Sequence, residues 1–521
     1  MGRSWLEWSR TSSLRRDGVT LATTTAPEPA AERPVHEHHV LIVGAGFSGI
    51  GMAARLRDMG IEDFAVLDRG NDLGGTWRDN SYPGAACDVP SNLYSFSFAL
   101  NPDWSRAFPS QSEIWDYMRA CVDRFEVGGH LRFGRAVDEA RWDDDARRWE
   151  VRTSDGETYR SRILVWATGS LSEPSLPVFP GLDQFRGKVF HSARWEHGFD
   201  LRGKRVCVVG TGASAIQFVP QIAPVVEHLY LHQRTPPWIV PRRDRAVSRA
   251  RRALYRKVPA AQRLSRFRIY ALFESLLSVF VGRGTRRKQA VRAAALRHLA
   301  AQVADESLRE KLTPHYEPGC KRLLLSDDYY PSLTLPNVEV VDSPVASFTA
   351  HEVVGQDGIA RPVDVVIMGT GFDAAEPPYA VHIVGRDGAR LSEVWKANGV
   401  EAYAGSAVAG FPNLFLMIGP NSTLAHNSMI YMIESHINYV ASAVAFMRRP
   451  GVHTVEVKAE VQRRYNARLQ DRLEHSVWVE GGCASWYLDH RGRNTTLWPD
   501  HTWKFRRLTR RFHPGEYTVR A

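Results

Sequence analysis

The chain alternates short apolar runs with glycine-rich turns and helix-like spacing. Val40-Leu41-Ile42-Val43 and Val206-Cys207-Val208-Val209 read as strands buried on both faces. Each breaks into a turn, Gly44-Ala45-Gly46-Phe47-Ser48-Gly49 and Gly210-Thr211-Gly212-Ala213-Ser214-Ala215, that opens a helix. Further strands are expected at Phe64-Ala65-Val66-Leu67, Leu229-Tyr230-Leu231, Trp149 to Thr153, Ile163 to Trp166, Val338 to Val341 and Val363 to Ile367. Helices are expected from Ser112 to Phe125 and from Ser428 to about Met447. Strands alternating with helices predict an α/β fold with two Rossmann-like dinucleotide-binding domains.

Strand, G-x-G-x-x-G/A turn and helix are the context in which such a turn cradles a pyrophosphate. A single copy is weak evidence, since glycine turns are common. Here each copy has a charged residue 24 positions beyond its first glycine, Asp68 in one and Arg234 in the other. An acid there suits a ribose 2′-hydroxyl and an arginine a 2′-phosphate. Two different dinucleotides are therefore expected, FAD on the first unit and NADPH on the second, a pair that can pass a hydride between them.

The segments sort into an order. Residues 1–37 read as a poorly ordered extension and 38–172 as the first part of an FAD-binding domain. The NADP-binding domain spans 173–241 and 319–373, interrupted at 242–318 by a basic helical insertion. Residues 374–521 return to the FAD-binding domain and end in a tail. Ala167-Thr168-Gly169 and Gly369-Thr370-Gly371 end strands on either side of the second unit, as expected where the chain crosses between domains.

With 521 residues, 44% of them apolar and 24% charged, the chain has the composition of a soluble multidomain enzyme. No apolar run is long enough to span a membrane. The net charge is +10, and Arg242 to Arg297 alone holds 17 Lys/Arg against two acids, Asp244 and Glu274. With Leu264, Phe267, Leu272, Phe273, Leu276, Leu277 and Phe280 at helical spacing, this stretch reads as a solvated helical cap, with weak peripheral contact to an anionic membrane as the minor alternative. No nucleic-acid module accompanies the charge. Five scattered cysteines (Cys87, Cys121, Cys207, Cys320, Cys483) argue for a reducing, cytoplasmic compartment and against a disulfide framework or a metal site.

Phe185-Arg186-Gly187-Lys188-Val189-Phe190-His191-Ser192-Ala193-Arg194-Trp195 resembles the FxGxxxHxxxW fingerprint of type I Baeyer–Villiger monooxygenases, in the flavin-containing monooxygenase superfamily. Gly74-Gly75-Thr76-Trp77, Tyr82-Pro83-Gly84 and Asp88 are similar to that family's second motif. Cys320-Lys321-Arg322 with Tyr329-Tyr330 is similar to its catalytic-arginine segment. The tail from Cys483-Ala484-Ser485-Trp486-Tyr487 to Leu497-Trp498-Pro499 resembles the hydroxyacetophenone-monooxygenase branch. Glu196 stands where the family usually has proline or aspartate.

The resemblance implies an NADPH- and O2-dependent flavoprotein that turns ketones into esters or lactones through a C4a-peroxyflavin, with S- or N-oxygenation of thioethers or amines as the alternative. A binding protein docked through its basic segment is a third reading, disfavoured by the intact Asp88, Lys321 and Arg322. Arg322 would stabilise the anionic peroxide and the oxyanion formed on attack, and Asp88 would hold Arg322. Gly44, Gly46, Phe47, Ser48, Gly49, Asp68, Arg69, Gly75, Thr76, Trp77, Asp88, Tyr94 and Gln111 are expected around FAD, with Asn421 and Ser422 near the ring edge. Thr211, Gly212, Ala213, Ser214, Gln217, Arg234, Thr235 and Lys321 are expected around NADPH. Phe185, Gly187, His191 and Trp195 are expected to link the domains without performing acid–base work.

Overall fold

The computed structural model describes residues 34–281 and 285–521. Most of the expected N-terminal extension, residues 1–33, lies outside the described residues. The first strand begins at Val35, so residues 35–37 belong to it and not to the extension. They are held there because the neighbouring strand is equally long: Val35 pairs with Thr158 and Val43 with Trp166.

That strand is the centre of the first sheet. Phe64–Leu67 pairs with it in parallel on one side and Thr158–Trp166 on the other. Arg148–Thr153 and Val137–Asp143 extend the sheet antiparallel. Two late strands join it: Leu414–Leu416 beside Thr158–Trp166, and Ile383–Val384 on the outer edge. Residues beyond 380 thus complete a sheet begun at residue 35, and everything between 188 and 368 that forms the second sheet interrupts it. The helix Met429–Met447 packs on the helix Phe47–Asp58. Gly51 permits this approach, since a Cβ there would lie 2.6 Å from Ile437 Cδ1.

The second sheet has five parallel strands: Val338–Val341, His228–His232, Arg205–Val209, Val365–Met368 and Lys188–His191. A three-stranded antiparallel sheet, Val345–Phe348, Glu352–Gly355 and Ala360–Pro362, lies along the chain between two of these strands, Val338–Val341 and Val365–Met368, and was not expected. Its strands, Val345-Ala346-Ser347-Phe348, Glu352-Val353-Val354-Gly355 and Ala360-Arg361-Pro362, are broken by polar residues, Gly and Pro and so present no continuous apolar run.

The basic segment forms helices Arg249–Lys257, Pro259–Ser275, Leu277–Phe280, Thr285–Gln302 and Glu306–Lys311. Both acids between Arg242 and Arg297 turn inward. Asp244 accepts from Arg106 Nε (2.6 Å) and Phe108 N (3.2 Å). Glu274 accepts from Asn427 Nδ2 (2.8 Å) and Thr502 N (3.3 Å) and faces His501 (2.9 Å), which fastens the insertion to the loop before the long helix and to the tail. Among the described residues no helix is long and apolar enough to cross a membrane.

Candidate active site between two dinucleotide cradles

The first cradle is built from backbone. Gly44 has φ +109°, and a Cβ there would lie 2.7 Å from the Ala167 carbonyl oxygen. At Gly49 a Cβ would lie 1.8 Å from the Gly44 oxygen. Gly46 faces Gly75, whose Cβ position is 3.2 Å from Gly46 Cα, and Gly74 N donates to Ala45 O (2.9 Å). This leaves a groove of bare backbone at the start of the Phe47–Asp58 helix, where first-turn amides lack carbonyl partners. Ser48 is buried beside it. Asp68, also buried, accepts from Ala45 N (2.8 Å), Gly70 N (2.8 Å) and Arg78 Nη1 (2.7 Å). A carboxylate has about four lone-pair positions, so one is left for a ribose hydroxyl. These residues fit a flavin dinucleotide.

Trp77 Nε1 donates to the Tyr94 hydroxyl (2.9 Å), and Gln111 Nε2 donates to the Trp77 carbonyl. Burial pushes the Tyr94 phenol well above its ordinary value. Thr76 is exposed at the start of a one-turn helix. Arg69 points away from the groove, pairing with Glu173 and donating to Ser172 O (2.9 Å). Asn421 and Ser422 are also committed elsewhere. Asn421 Nδ2 donates to Asn494 O (2.8 Å) and Leu497 O (3.2 Å), and Ser422 Oγ to Gly419 O.

The second cradle has the same start. Gly210 has φ +104°, and a Cβ there would lie 2.6 Å from Gly369 O. Gly212 and Ala213 are exposed, Ser214 is half-buried, and Thr211 Oγ1 donates to Thr235 O (3.2 Å). Gln217 does not face the groove. Its Oε1 accepts from the Tyr82 hydroxyl (3.1 Å) and Ala86 N (3.2 Å), and its Nε2 donates to Ala86 O (3.0 Å), tying the second unit to the 82–86 loop of the first. Arg234 is exposed, and among the described residues it has no acidic partner within 4 Å. Lys321 lies within its field, with its amine 5.2 Å from the Tyr316 ring centre. Burial and the Arg234 charge bring the Lys321 amine down to about 8. Two cations that feel each other's charge, without an acidic partner among the described residues, form an anion site that fits a phosphorylated dinucleotide.

Lys321 and Arg322 lie where the two units meet. Arg322 Nε donates to Asp88 Oδ2 at 2.7 Å, and its Nη1 to Leu424 O at 3.4 Å. The two side chains are 29% and 28% exposed, so the pair is sunk yet open to a ligand. Burial pushes the Asp88 carboxyl up, but the charge and hydrogen bond of Arg322 outweigh it and hold it below its ordinary value. The Arg322 guanidinium is raised, first by the Asp88 charge. The arrangement is a permanent cation fixed by an ionised acid.

The FxGxxxHxxxW residues are packed, not catalytic in geometry. Phe185 is buried against Phe348. Gly187 is needed because a Cβ would lie 2.3 Å from Asp364 O. Trp195 packs edge-on to Phe190 and tilted on Phe218. His191 Nδ1 accepts from Ala193 N (3.0 Å), its ring edges Phe372, and burial with the Arg194 charge brings it down to about 4. Glu196 pairs with Lys188 at the surface.

Three features were missed from sequence. Arg78 bridges Asp68 and Asp79. Glu274 gathers its partners from two distant segments, 426–427 and 501–502. Cys320 and Cys483, expected to be unpaired, form a disulfide across 163 residues, while Cys87, Cys121 and Cys207 stay free and buried. Only the fold brings that pair together, so spacing carried no signal for it.

A glycine cradle with an inward acid, a second with outward cations, and a fixed arginine between them define a two-dinucleotide flavoprotein. Residues 37–387 match the family described as flavin-binding monooxygenase-like. A Baeyer–Villiger monooxygenase of Streptomyces coelicolor is 49% identical over 492 residues, covering 94% of each chain. One from Pseudomonas aeruginosa is 47% identical over 499 residues, covering 96% of this chain and 94% of its own. The closed crystal structure of cyclohexanone monooxygenase superposes with TM-score 0.83 at 28% identity, over 94% of this chain and 100% of that one. Oxidized steroid monooxygenase bound to NADP gives 0.80 at 30%, over 93% and 99%. This chain belongs to the flavin-binding monooxygenase-like family.

Proposed function

We propose that the protein converts ketones to esters or lactones, consuming NADPH and O2 and releasing NADP+ and water. The observation that carries this reading is the Arg322–Asp88 pair, a cation that cannot deprotonate, held at 2.7 Å where the two cradles meet. The names of the 49% and 47% identical relatives support it. Bound FAD, reduced by NADPH, supplies the oxygen-activating chemistry.

The chain's own residues bind, orient and stabilise charge. Gly44, Gly46, Gly49 and Gly75 admit the flavin pyrophosphate, and Asp68 takes a ribose hydroxyl. Trp77, Tyr94 and Gln111 form one bonded wall beside Asp88. Thr211 to Ser214 receive the second dinucleotide, with Arg234, Lys321 and Thr235 at its 2′-phosphate. Arg322 holds negative charge on the reacting oxygens, and Asp88 keeps the guanidinium aimed. Gln217 and His191 act in the joint between the units. The test is mass spectrometry of products from linear, cyclic and aryl ketones, run beside a thioether and an amine. Esters support the reading. Sulfoxide or N-oxide without ester replaces it with heteroatom oxygenation.

We also infer a weak peripheral contact with anionic membrane through residues 242–297. The supporting observation is that Leu264, Phe267 and Leu272 are 50%, 63% and 63% exposed among the exposed Arg263 and Arg268, while both acids turn inward. Each basic residue near such a surface contributes about 1 kcal/mol. At low salt the protein should sediment with phosphatidylglycerol vesicles and not with phosphatidylcholine, and Phe267→Ser with Leu272→Ser should abolish this. Equal recovery in the supernatant with both lipids removes the reading.

A further inference from the structure

The reading above leaves one buried phenol at the Arg322–Asp88 pair unused. Tyr487 is 1% exposed, its hydroxyl is closed to solvent, and it lies within hydrogen-bonding reach of Arg322. It lies within the fields of both Arg322 and Asp88; burial, opposed by Arg322, raises it to about 12, so it stays protonated. A buried hydroxyl is costly to leave unpaired, so the contact with Arg322 matters to both groups. A guanidinium only donates. A phenol oxygen beside Arg322 can accept from it and so help to fix the guanidinium.

Tyr487 is placed by its backbone. Its carbonyl accepts from Thr495 N (3.3 Å) and Thr496 Oγ1 (3.2 Å), and its N–H donates to Ser485 Oγ (3.3 Å). Four residues earlier, Cys483 is joined to Cys320, which directly precedes Lys321 and Arg322. Glu317 N donates to Gly481 O (3.0 Å) beside this bridge. The disulfide thus pins the tail segment that carries Tyr487 to the segment that carries Arg322. Cys320 is fully buried, while Cys483 is half-buried and reachable from solvent. Where disulfides occur in reducing compartments, they are usually redox-sensing or catalytic.

We propose that Tyr487 is a positioning residue, accepting from Arg322 and so keeping the guanidinium aimed at the reacting oxygens, and that the Cys320–Cys483 bridge holds it there, so that thiol redox state tunes oxygen transfer. This rests on the ketone reading above. Closing the bridge takes two thiols and one hydrogen peroxide to a disulfide and two waters. Opening it takes a dithiol, which leaves as its own disulfide.

The experiment uses the flavin-loaded full chain as wild type, Tyr487→Phe and Cys483→Ser, each before and after dithiothreitol. It records ester and hydrogen peroxide formed per NADPH, free thiols by alkylation and intact mass, and trypsin cleavage within residues 481–499. Tyr487→Phe should lower kcat/KM for the ketone roughly tenfold, about the worth of one hydrogen bond. Hydrogen peroxide should rise, with flavin content and KM for NADPH unchanged. Dithiothreitol should expose two further thiols in the wild type, speed cleavage of the tail and reproduce that uncoupling, as should Cys483→Ser. Tyr487→Phe should gain nothing more from reduction in its coupling ratio. Unchanged coupling in Tyr487→Phe, or two thiols released without a change in coupling or cleavage, overturns the proposal. If Cys483→Ser fails to fold, the wild-type reduction series decides alone. Absence of ester from the untreated wild type with every ketone overturns the parent reading instead.

Discussion

The two dinucleotide cradles begin alike and end in opposite electrostatic states. Both open on a glycine at φ above +100° pressed against a carbonyl of the crossing strand end, Ala167 in one and Gly369 in the other. They diverge 24 residues later. Asp68 is buried and holds three donors from its own unit. Arg234 is exposed, within the field of a second cation and, among the described residues, without an acidic partner. The first cradle is organised before its ligand arrives, and the second stays electrostatically unsatisfied until an anion enters. The contrast suits a nucleotide that stays and one that comes and goes.

The sixth position of each motif gives the sharpest test. Gly49→Ala would drive a Cβ to 1.8 Å from the Gly44 oxygen, backbone that cannot swing aside. The second unit already has Ala215 there. Gly49→Ala should purify nearly colourless, with flavin absorbance near 450 nm lost, whereas Ala215→Gly should keep its flavin and cost about 1 kcal/mol of helix stability. A yellow Gly49→Ala protein breaks the comparison at its root.

The next effect lies between the cradles. Arg322→Ala should reduce ester formation at least about a hundredfold, the range seen for removing one donor to a developing oxyanion. Flavin should remain and NADPH oxidation continue, with product oxygen diverted to hydrogen peroxide. Wild-type ester yields would refute the role given to Arg322. A smaller effect belongs to the second cradle alone. Arg234→Ala removes one charge-assisted contact, about 1.5–3 kcal/mol, so KM for NADPH should rise roughly ten- to a hundredfold. KM for NADH should hardly move. An equal loss for both nucleotides would mean that Arg234 does not read the phosphate.

Much of this was legible in sequence because it is local. A strand, a turn with fixed glycines and a charge at a set offset all lie within thirty residues of one another. Asp88 and Arg322, by contrast, are 234 residues apart and were paired only through family resemblance. What escaped was long-range and polar. Gln217 has the position of a nucleotide-side residue, yet its amide is used by Tyr82 and Ala86. Arg69 follows Asp68 yet turns to Glu173. Glu274 enters the sequence only as one of two acids in a basic stretch, and only the folded chain shows it gathering Asn427, His501 and Thr502. Periodicity reports which face of an element is buried, not which distant polar group meets it there.

The smallest predicted effect separates the cradles by pH. Lys321 in the free protein titrates at about 8 in place of 10.5, because burial and Arg234 disfavour its charge. A bound 2′-phosphate reverses the Arg234 contribution and favours the charged amine. Above pH 8 the nucleotide must therefore bring a proton with it, so affinity falls as pH rises, by at most about tenfold per pH unit. KM for NADPH should be level from pH 7 to 8 and climb above it, while KM for NADH stays level. Stability moves the other way in the same window. Between pH 8 and 10.5 the unfolded lysine holds its proton and the folded one does not, so this group makes folding more favourable as pH rises. Lys321→Arg, which stays charged throughout, should flatten the climb in KM for NADPH. Thermal unfolding of the variant should lose the same upward trend against pH. A climb that persists in Lys321→Arg would assign the titration to another group and leave Arg234 as the sole cation on the phosphate.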